Sequence, residues 1–382
     1  MEEPRRIVLI LGNGFDINLQ LKTSFKDFWI SDCCPKNYPA PLIQYLNDHF
    51  EDDLDSVRWY DLENELMSYY RRISQKGKSF DVITESEAHF IRETHINYIR
   101  SGRFLDKHIP YIHSLLTKKL IIRTLNSPNL YDSPFFDDLK QDKVWRDREA
   151  FRRIINGLCE YIRTIDPDTS GSNNLAHYVL ATAAMAADKN LVKIYSFNYT
   201  KLPQSINGNL GKVEHIHGCC STSNIIVGTG DFEELNRDYD FLQKSFAPKF
   251  NPPALVPDLL AADDVIIFGH SIGENDRQYF KAFFKQQTSN TKTKRVNITI
   301  FTKDAESVLE IKRALQKMTD SNLSVLCSQN EVKIIDVAST QENPKDFLAF
   351  MEKYISDTMQ LKVTECQFLE SLSEQSQEAS SS

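Results

Sequence analysis

The stretch Ile7-Val8-Leu9-Ile10-Leu11-Gly12-Asn13-Gly14-Phe15-Asp16 decides the fold. Its first five residues are all apolar and rich in β-branched side chains, the pattern of a strand buried on both faces inside a parallel sheet. The run stops abruptly at Gly12-Asn13-Gly14, where glycines let the backbone turn sharply and let a phosphate approach the amides. Ligands of open parallel sheets bind beyond the carboxyl ends of the strands, so this strand-to-loop junction heads a candidate nucleotide site. A tight structural turn also explains a lone Gly-x-Gly. The dinucleotide fingerprint needs a third glycine, and here the chain continues Ile17-Asn18-Leu19; no Gly-Lys-Ser/Thr follows, so the segment is not a Walker loop.

Further strands are expected at Val192–Phe197, Val213–His217, Asn224–Val227, Val265–Phe268, Val296–Phe301 and Val332–Val337. Helical periodicity lies between several of them, at Asp276–Gln287 and Ala305–Thr319. That alternation predicts an α/β, Rossmann-like fold with a mostly parallel sheet of about six strands. From about Leu42 to Ala187 the pattern turns helical, as in Leu62–Tyr70 and Phe151–Ile165. The expected organisation is a nucleotide-binding core of 1–41 and 188–355, a helical insertion of 42–187, and a disordered acidic tail over 364–382, where four glutamates meet no lysine or arginine. There is no internal repeat.

Composition narrows the classes. At 41% hydrophobic and 26% charged residues, the 382-residue chain reads as an ordinary soluble protein with a sizeable core. No run of about 18 apolar residues predicts a membrane helix, and Met1–Arg6 lacks signal-peptide character, so the expected location is cytoplasmic. A net charge of −8 argues against a protein that coats nucleic acid, and lysine- and arginine-containing helices such as Ile311–Ala314 read as solvated faces. None of the seven cysteines forms Cys-x-x-Cys, and reduced thiols with no metal are the expectation.

Three more polar segments close strands. Ser196-Phe197-Asn198-Tyr199-Thr200 offers the Asn198 amide, able to donate and accept, to a sugar hydroxyl or a water; a turn residue or helix cap is its structural alternative. In His215-Ile216-His217-Gly218, alternation puts both histidines on one face, and a neutral histidine is a credible general base near pH 7. A purely structural histidine, or zinc on His215, His217 and Cys219 or Cys220, competes with that reading. In Phe268-Gly269-His270-Ser271-Ile272-Gly273-Glu274-Asn275-Asp276, Gly269 and Ser271 offer donors to a ligand, and Asp276 reads first as a cap of the next helix. Gly269-x-Ser271-x-Gly273 also matches a hydrolase nucleophile elbow, but no histidine follows His270 to complete a triad.

Taken together these segments resemble the AbiH family, bacterial proteins linked to abortive infection by phage. The matching elements are Gly-Asn-Gly-Phe-Asp (12–16), Leu-Lys-Thr-Ser-Phe (21–25), Phe-Asn-Tyr-Thr (197–200), His-Ile-His-Gly (215–218) and Phe-Gly-His-Ser-Ile-Gly…Asp (268–276), in order from residue 7 to about 280. That family is similar in turn to sirtuin-like proteins. By that resemblance NAD is the ligand, as substrate. Asn198 and His217 take the catalytic positions. Gly12, Gly14 and Asp16 line the cofactor phosphates or ribose, Gly269 and Ser271 hold the adenosine side, and Asn13, Phe15, Thr23 and Asp276 are further cofactor-binding positions. Thr200 stands where many sirtuin-like proteins have aspartate, and Asn13 where they have alanine. Lysine deacylases of that fold carry two Cys-x-x-Cys pairs, which this chain lacks, whereas sirtuin-like proteins of phage defence are often NAD hydrolases. The resemblance therefore implies an effector that depletes NAD, or alternatively a silent NAD or ADP-ribose sensor in a defence complex. A homo-oligomer and a partner protein are expected on the same ground, with contacts through the helical insertion.

Overall fold

A computed structural model describes residues 3–50, 61–74, 90, 93–94, 97–98, 100–103, 134–169, 174–204, 212–222, 224–231, 237–291, 294–340 and 342–381. In chain order its main elements are β1 (Arg6–Leu11), α1 (Asn13–Asn18), α2 (Phe25–Ile30), α3 (Pro41–Phe50), α4 (Asp61–Ser74) and α5 (Pro134–Arg163). There follow α6 (Leu175–Ala186), β2 (Leu191–Ser196), β3 (Val213–His215), α7 (Leu255–Ala261), β4 (Asp264–Phe268) and α8 (Arg277–Gln286). The last are β5 (Asn297–Thr302), α9 (Ala305–Met318), α10 (Leu323–Gln329), β6 (Glu331–Asp336), α11 (Lys345–Tyr354) and α12 (Thr358–Ser381).

The chain divides into two compact units, one of residues 1–24, 162–226 and 249–382 and one of 25–161 and 227–248. The first holds a six-stranded sheet in the order β3-β2-β1-β4-β5-β6, with every pair parallel. This is the doubly wound Rossmann order, and the α/β expectation holds. Strand alternation sends Ile7, Leu9 and Leu11 to a core shared with Phe15, Leu175, Val179, Phe347 and Met351. Val8 and Ile10 face the other side, among Leu255, Val265, Phe280, Phe283, Ile300 and Leu315. Helices thus cover both faces, which is why β1 carries no polar alternation.

The structure differs from four sequence expectations. Asn224–Val227 forms no strand: Gly218 bends the chain away, and the segment's hydrogen bond is Ile226 N–H to the His217 carbonyl at 2.8 Å. The unit boundaries fall at 24/25 and 161/162, not at 42 and 187, and 227–248 belong with the helical unit. Helix α6, assigned on sequence to the insertion, packs on the sheet; Leu175–Ala186 carries no charged side chain and buries nearly all round. The tail is α12, with Phe368 1% exposed and its ring 4.7 Å from Phe347 and 5.1 Å from Tyr178, centroid to centroid. Thr364, Phe368 and Ser371 recur at helical spacing, a stripe that the acidic composition hides.

In the second unit Asp147 of α5 is fully buried and accepts from Leu42 N–H at 2.8 Å, the Tyr69 hydroxyl at 2.5 Å and the Tyr239 hydroxyl at 2.9 Å. One carboxylate thereby ties α3, α4 and the 237–242 turn to α5, and burial holds it above the ordinary aspartate range. Much of the helical stretch read between 75 and 133 lies outside the described residues.

Candidate functional site

The carboxyl ends of β3, β2, β1 and β4 are neighbours in the sheet, and each carries one of the polar segments singled out in the sequence. Chain direction splits between β1 and β4, the switch point where Rossmann-like sheets take ligands.

At that point the two glycine segments cross. Gly12 N–H donates to the Phe268 carbonyl and Gly14 N–H to the Gly269 carbonyl, both at 2.9 Å. A Cβ on Gly12 would lie 2.6 Å from Gly269 O and His270 Cα. Gly269 has φ +64°, and its Cβ would lie 2.4 Å from the Gly14 carbonyl carbon and Phe15 N. The sequence reading gave these glycines to phosphate access. Here their amides are already engaged, and they are glycine because two backbones touch. The segment 13–16 is also the opening of α1 rather than a loop.

Asp16 emerges from α1 into the interior, 2% exposed. Its Oδ1 accepts from Asn198 Nδ2 at 2.8 Å and its Oδ2 from the Thr200 hydroxyl at 2.6 Å. Burial pushes the carboxyl up to about 7, against the opposing pull of the Thr200 and Asn198 hydrogen bonds. Asn198 Nδ2 also donates to the Gly12 carbonyl at 3.0 Å. Both amide hydrogens are therefore committed, and Asn198 presents Oδ1 purely as an acceptor. Its carbonyl accepts from His215 Nδ1 at 2.9 Å, so His215 carries its proton on Nδ1 and holds the Asn198 backbone; burial lowers that histidine's proton affinity.

A second cluster forms across Phe197. His217 Nε2 lies 2.9 Å from Asp276 Oδ1, and His270 Nε2 lies 3.4 Å from Asp276 Oδ2. Phe197 stands edge-on to both rings, with centroids 5.3 Å from His217 and 4.2 Å from His270. Ile272 N–H donates to His270 Nδ1 at 2.9 Å. Ile272 itself sits at φ +52°, a left-handed conformation rare for a β-branched residue, which costs about 1–3 kcal/mol. Asp276 is the N-cap residue of α8, yet its side chain makes no capping bond, which corrects the capping role read from the sequence. Among the described residues no three His, Cys, Asp or Glu side chains gather in an arrangement that could hold a metal ion.

The remaining site candidates separate. Thr23 is buried and its hydroxyl donates to Asn13 Oδ1 at 2.9 Å, leaving Asn13 Nδ2 a buried donor without a hydrogen-bond partner among the described residues. Phe15 turns into the core, edge-on to Phe268 at 5.6 Å. Ser271 is exposed. His217 and Asn198 lie beneath the surface, at 3% and 6% exposure. Sequence reasoning missed His270 and Ile272; the signal was present, since a histidine two residues before a β-branched one inside Gly-x-Ser-x-Gly reaches the same strand end.

Fold and site together define a Rossmann-like α/β protein whose polar residues gather at the carboxyl ends of β3, β2, β1 and β4. The chain belongs to the AbiH family: the family model described as bacteriophage abortive infection AbiH matches residues 8–301. Phage defence by abortive infection is the role that membership implies. No curated protein and no solved structure matches the chain. Among the described residues no helix is long and apolar enough to cross a membrane.

Proposed function

We propose that this protein hydrolyses NAD to nicotinamide and ADP-ribose, as the effector step of abortive infection. The observation that carries the reading is the Asn198 amide, whose nitrogen is locked by Gly12 and Asp16, which leaves its oxygen as the acceptor for a ligand. An acceptor in that position suits a ribose hydroxyl or an attacking water. The Asn13 Nδ2 donor, buried on α1, suits a phosphate or carbonyl oxygen.

The chemistry asks for little. The bond from ribose C1′ to the nicotinamide nitrogen breaks with its electron pair leaving on the ring, which departs neutral and needs no acid. Positive character then develops on the ribose, and the Asp16 carboxyl, 2.8 Å from Asn198 Nδ2, favours it electrostatically in its ionised form. Water oxygen bonds C1′, and its proton passes to His217. Positioned acid–base help of this kind is worth about 10²–10⁴-fold. The Thr200 hydroxyl holds the Asp16 carboxylate in place, while a threonine where many sirtuin-like proteins have aspartate is the feature that favours the silent-sensor alternative.

Nicotinamide release from NAD by the purified protein, and NAD content in phage-infected cells carrying it, test the proposal. Release that falls at least 10²-fold in Asn198→Ala and His217→Ala is the expected result. NAD that binds by calorimetry but persists in infected cells would replace hydrolysis with the silent-sensor reading.

A further inference from the structure

Two histidines share one carboxylate in this site, and hydrogen-bond chemistry assigns a proton to each ring. A carboxylate oxygen accepts; it does not donate when ionised. His217 Nε2, 2.9 Å from Asp276 Oδ1, therefore carries the N–H. A neutral imidazole has one N–H, so Nδ1 is the basic nitrogen of His217. His270 obeys the same logic from the other side. Its Nδ1 accepts the Ile272 backbone N–H at 2.9 Å, so its proton is on Nε2, which faces Asp276 Oδ2 at 3.4 Å. The two donors hold the carboxylate from both oxygens.

Local structure alone does not ask for this arrangement. Asp276 occupies the N-cap of α8, where an aspartate ordinarily bonds the first-turn amides, and it makes no such bond. Ile272 is kept left-handed while its amide caps His270. The loop between β4 and α8 gives up relaxed geometry at two positions, and both lead to the orientation of His217 and its carboxylate.

We infer that Asp276 is the positioning residue of the site: it fixes His217 in the Nε2–H tautomer so that Nδ1 takes the proton of the attacking water, and His270 holds the carboxylate in place. The catalytic part of this inference rests on the NAD-hydrolase reading; the tautomer does not. In the step, the ribose C1′–nicotinamide bond breaks with its electron pair on the departing ring, the water oxygen bonds C1′ as its O–H bond breaks, the proton moves to Nδ1, and the resulting imidazolium is stabilised by Asp276. No oxidant or further reactant enters.

The test uses the full chain with ¹⁵N-labelled histidine and two variants. In the wild-type protein the nitrogen spectrum of His217 should show a protonated Nε2 and an unprotonated Nδ1. Asp276→Asn keeps the size and lets an amide N–H face Nε2, which moves the ring proton to Nδ1. The expected outcome is tautomer reversal, kcat for NAD down about 10²–10⁴-fold and KM little changed. Asp276→Glu should restore the wild-type tautomer and part of kcat. Adding Asp276→Asn to His217→Ala should lower the rate no further, which a purely structural role would not give. A wild-type His217 protonated on Nδ1, or wild-type kcat in Asp276→Asn, would overturn the inference. The expected tautomers with no NAD turnover in infected cells would support the positioning and strike at the hydrolase reading alone.

Discussion

The Thr200 hydroxyl donates to Asp16 Oδ2 at 2.6 Å, joining the loop after β2 to the first helix of the chain. Thr200 can also accept, so the pair keeps its contact whether or not Asp16 is protonated. Asn198 Nδ2 cannot accept, and Oδ1 of Asp16 stays the unprotonated oxygen. A buried carboxyl can therefore gain or lose a proton here without rearranging its partners.

That property sets a pH dependence. Asp16 titrates near 7 when folded against 3.8 ordinarily, so the folded state holds its proton more tightly. Below about pH 4 both states are protonated and the burial is free of charge. As pH rises from about 4 to 7 the unfolded chain ionises first, and stability falls; above 7 the loss is complete. The displacement from 3.8 to about 7 corresponds to about 4 kcal/mol. Asp16→Asn keeps both contacts and carries no charge, so it should match the wild type in thermal denaturation near pH 4 and exceed it at pH 8. Equal pH profiles for the two proteins would refute the assignment.

Asn198→Asp makes the opposite change. It places a second carboxyl 2.8 Å from Asp16 in a buried site, where two like charges cannot both persist. Denaturation midpoints should drop relative to wild type, and the gap should widen as pH rises through 7. A constant gap would mean the two carboxyls do not meet.

Gly269→Ala tests the crossing at the switch point. Its φ of +64° disfavours any side chain, and the new Cβ would strike the Gly14–Phe15 peptide at 2.4 Å. A loss of about 2–4 kcal/mol in urea unfolding is expected, combining backbone strain and overpacking. A near-neutral result would show that the two backbones do not touch.

Phe368→Ala addresses the C-terminal helix. Removing a buried phenylalanine costs about 3–5 kcal/mol, whereas truncation within a frayed tail costs almost nothing. Chemical denaturation should show the first. The same position explains part of what the sequence hid. Glutamate-rich composition describes the exposed face of α12, while Thr364, Phe368 and Ser371 mark the covered one.

What was legible came from patterns with a single physical meaning. The β1 run admits only a doubly covered strand, and short polar segments after three further apolar runs put the candidate residues at strand ends, as the sheet does. Less legible were roles decided by three-dimensional partners. Gly12 and Gly269 are 257 positions apart, so nothing local shows that they exist for each other rather than for a phosphate. Asp276 reads as a cap because caps are local, and its histidines are not. Phe15 reads as a pocket residue from its motif, yet helix geometry turns it into the core beside Phe268.

The central claim is that this site cleaves NAD. Quantifying NAD and free nicotinamide in phage-infected cells carrying the wild-type protein, Asn198→Ala or His217→Ala tests it most directly, because infection supplies any trigger. NAD should collapse with matching nicotinamide release in the wild type alone. An NAD pool that survives infection in all three, or falls equally in all three, would contradict it.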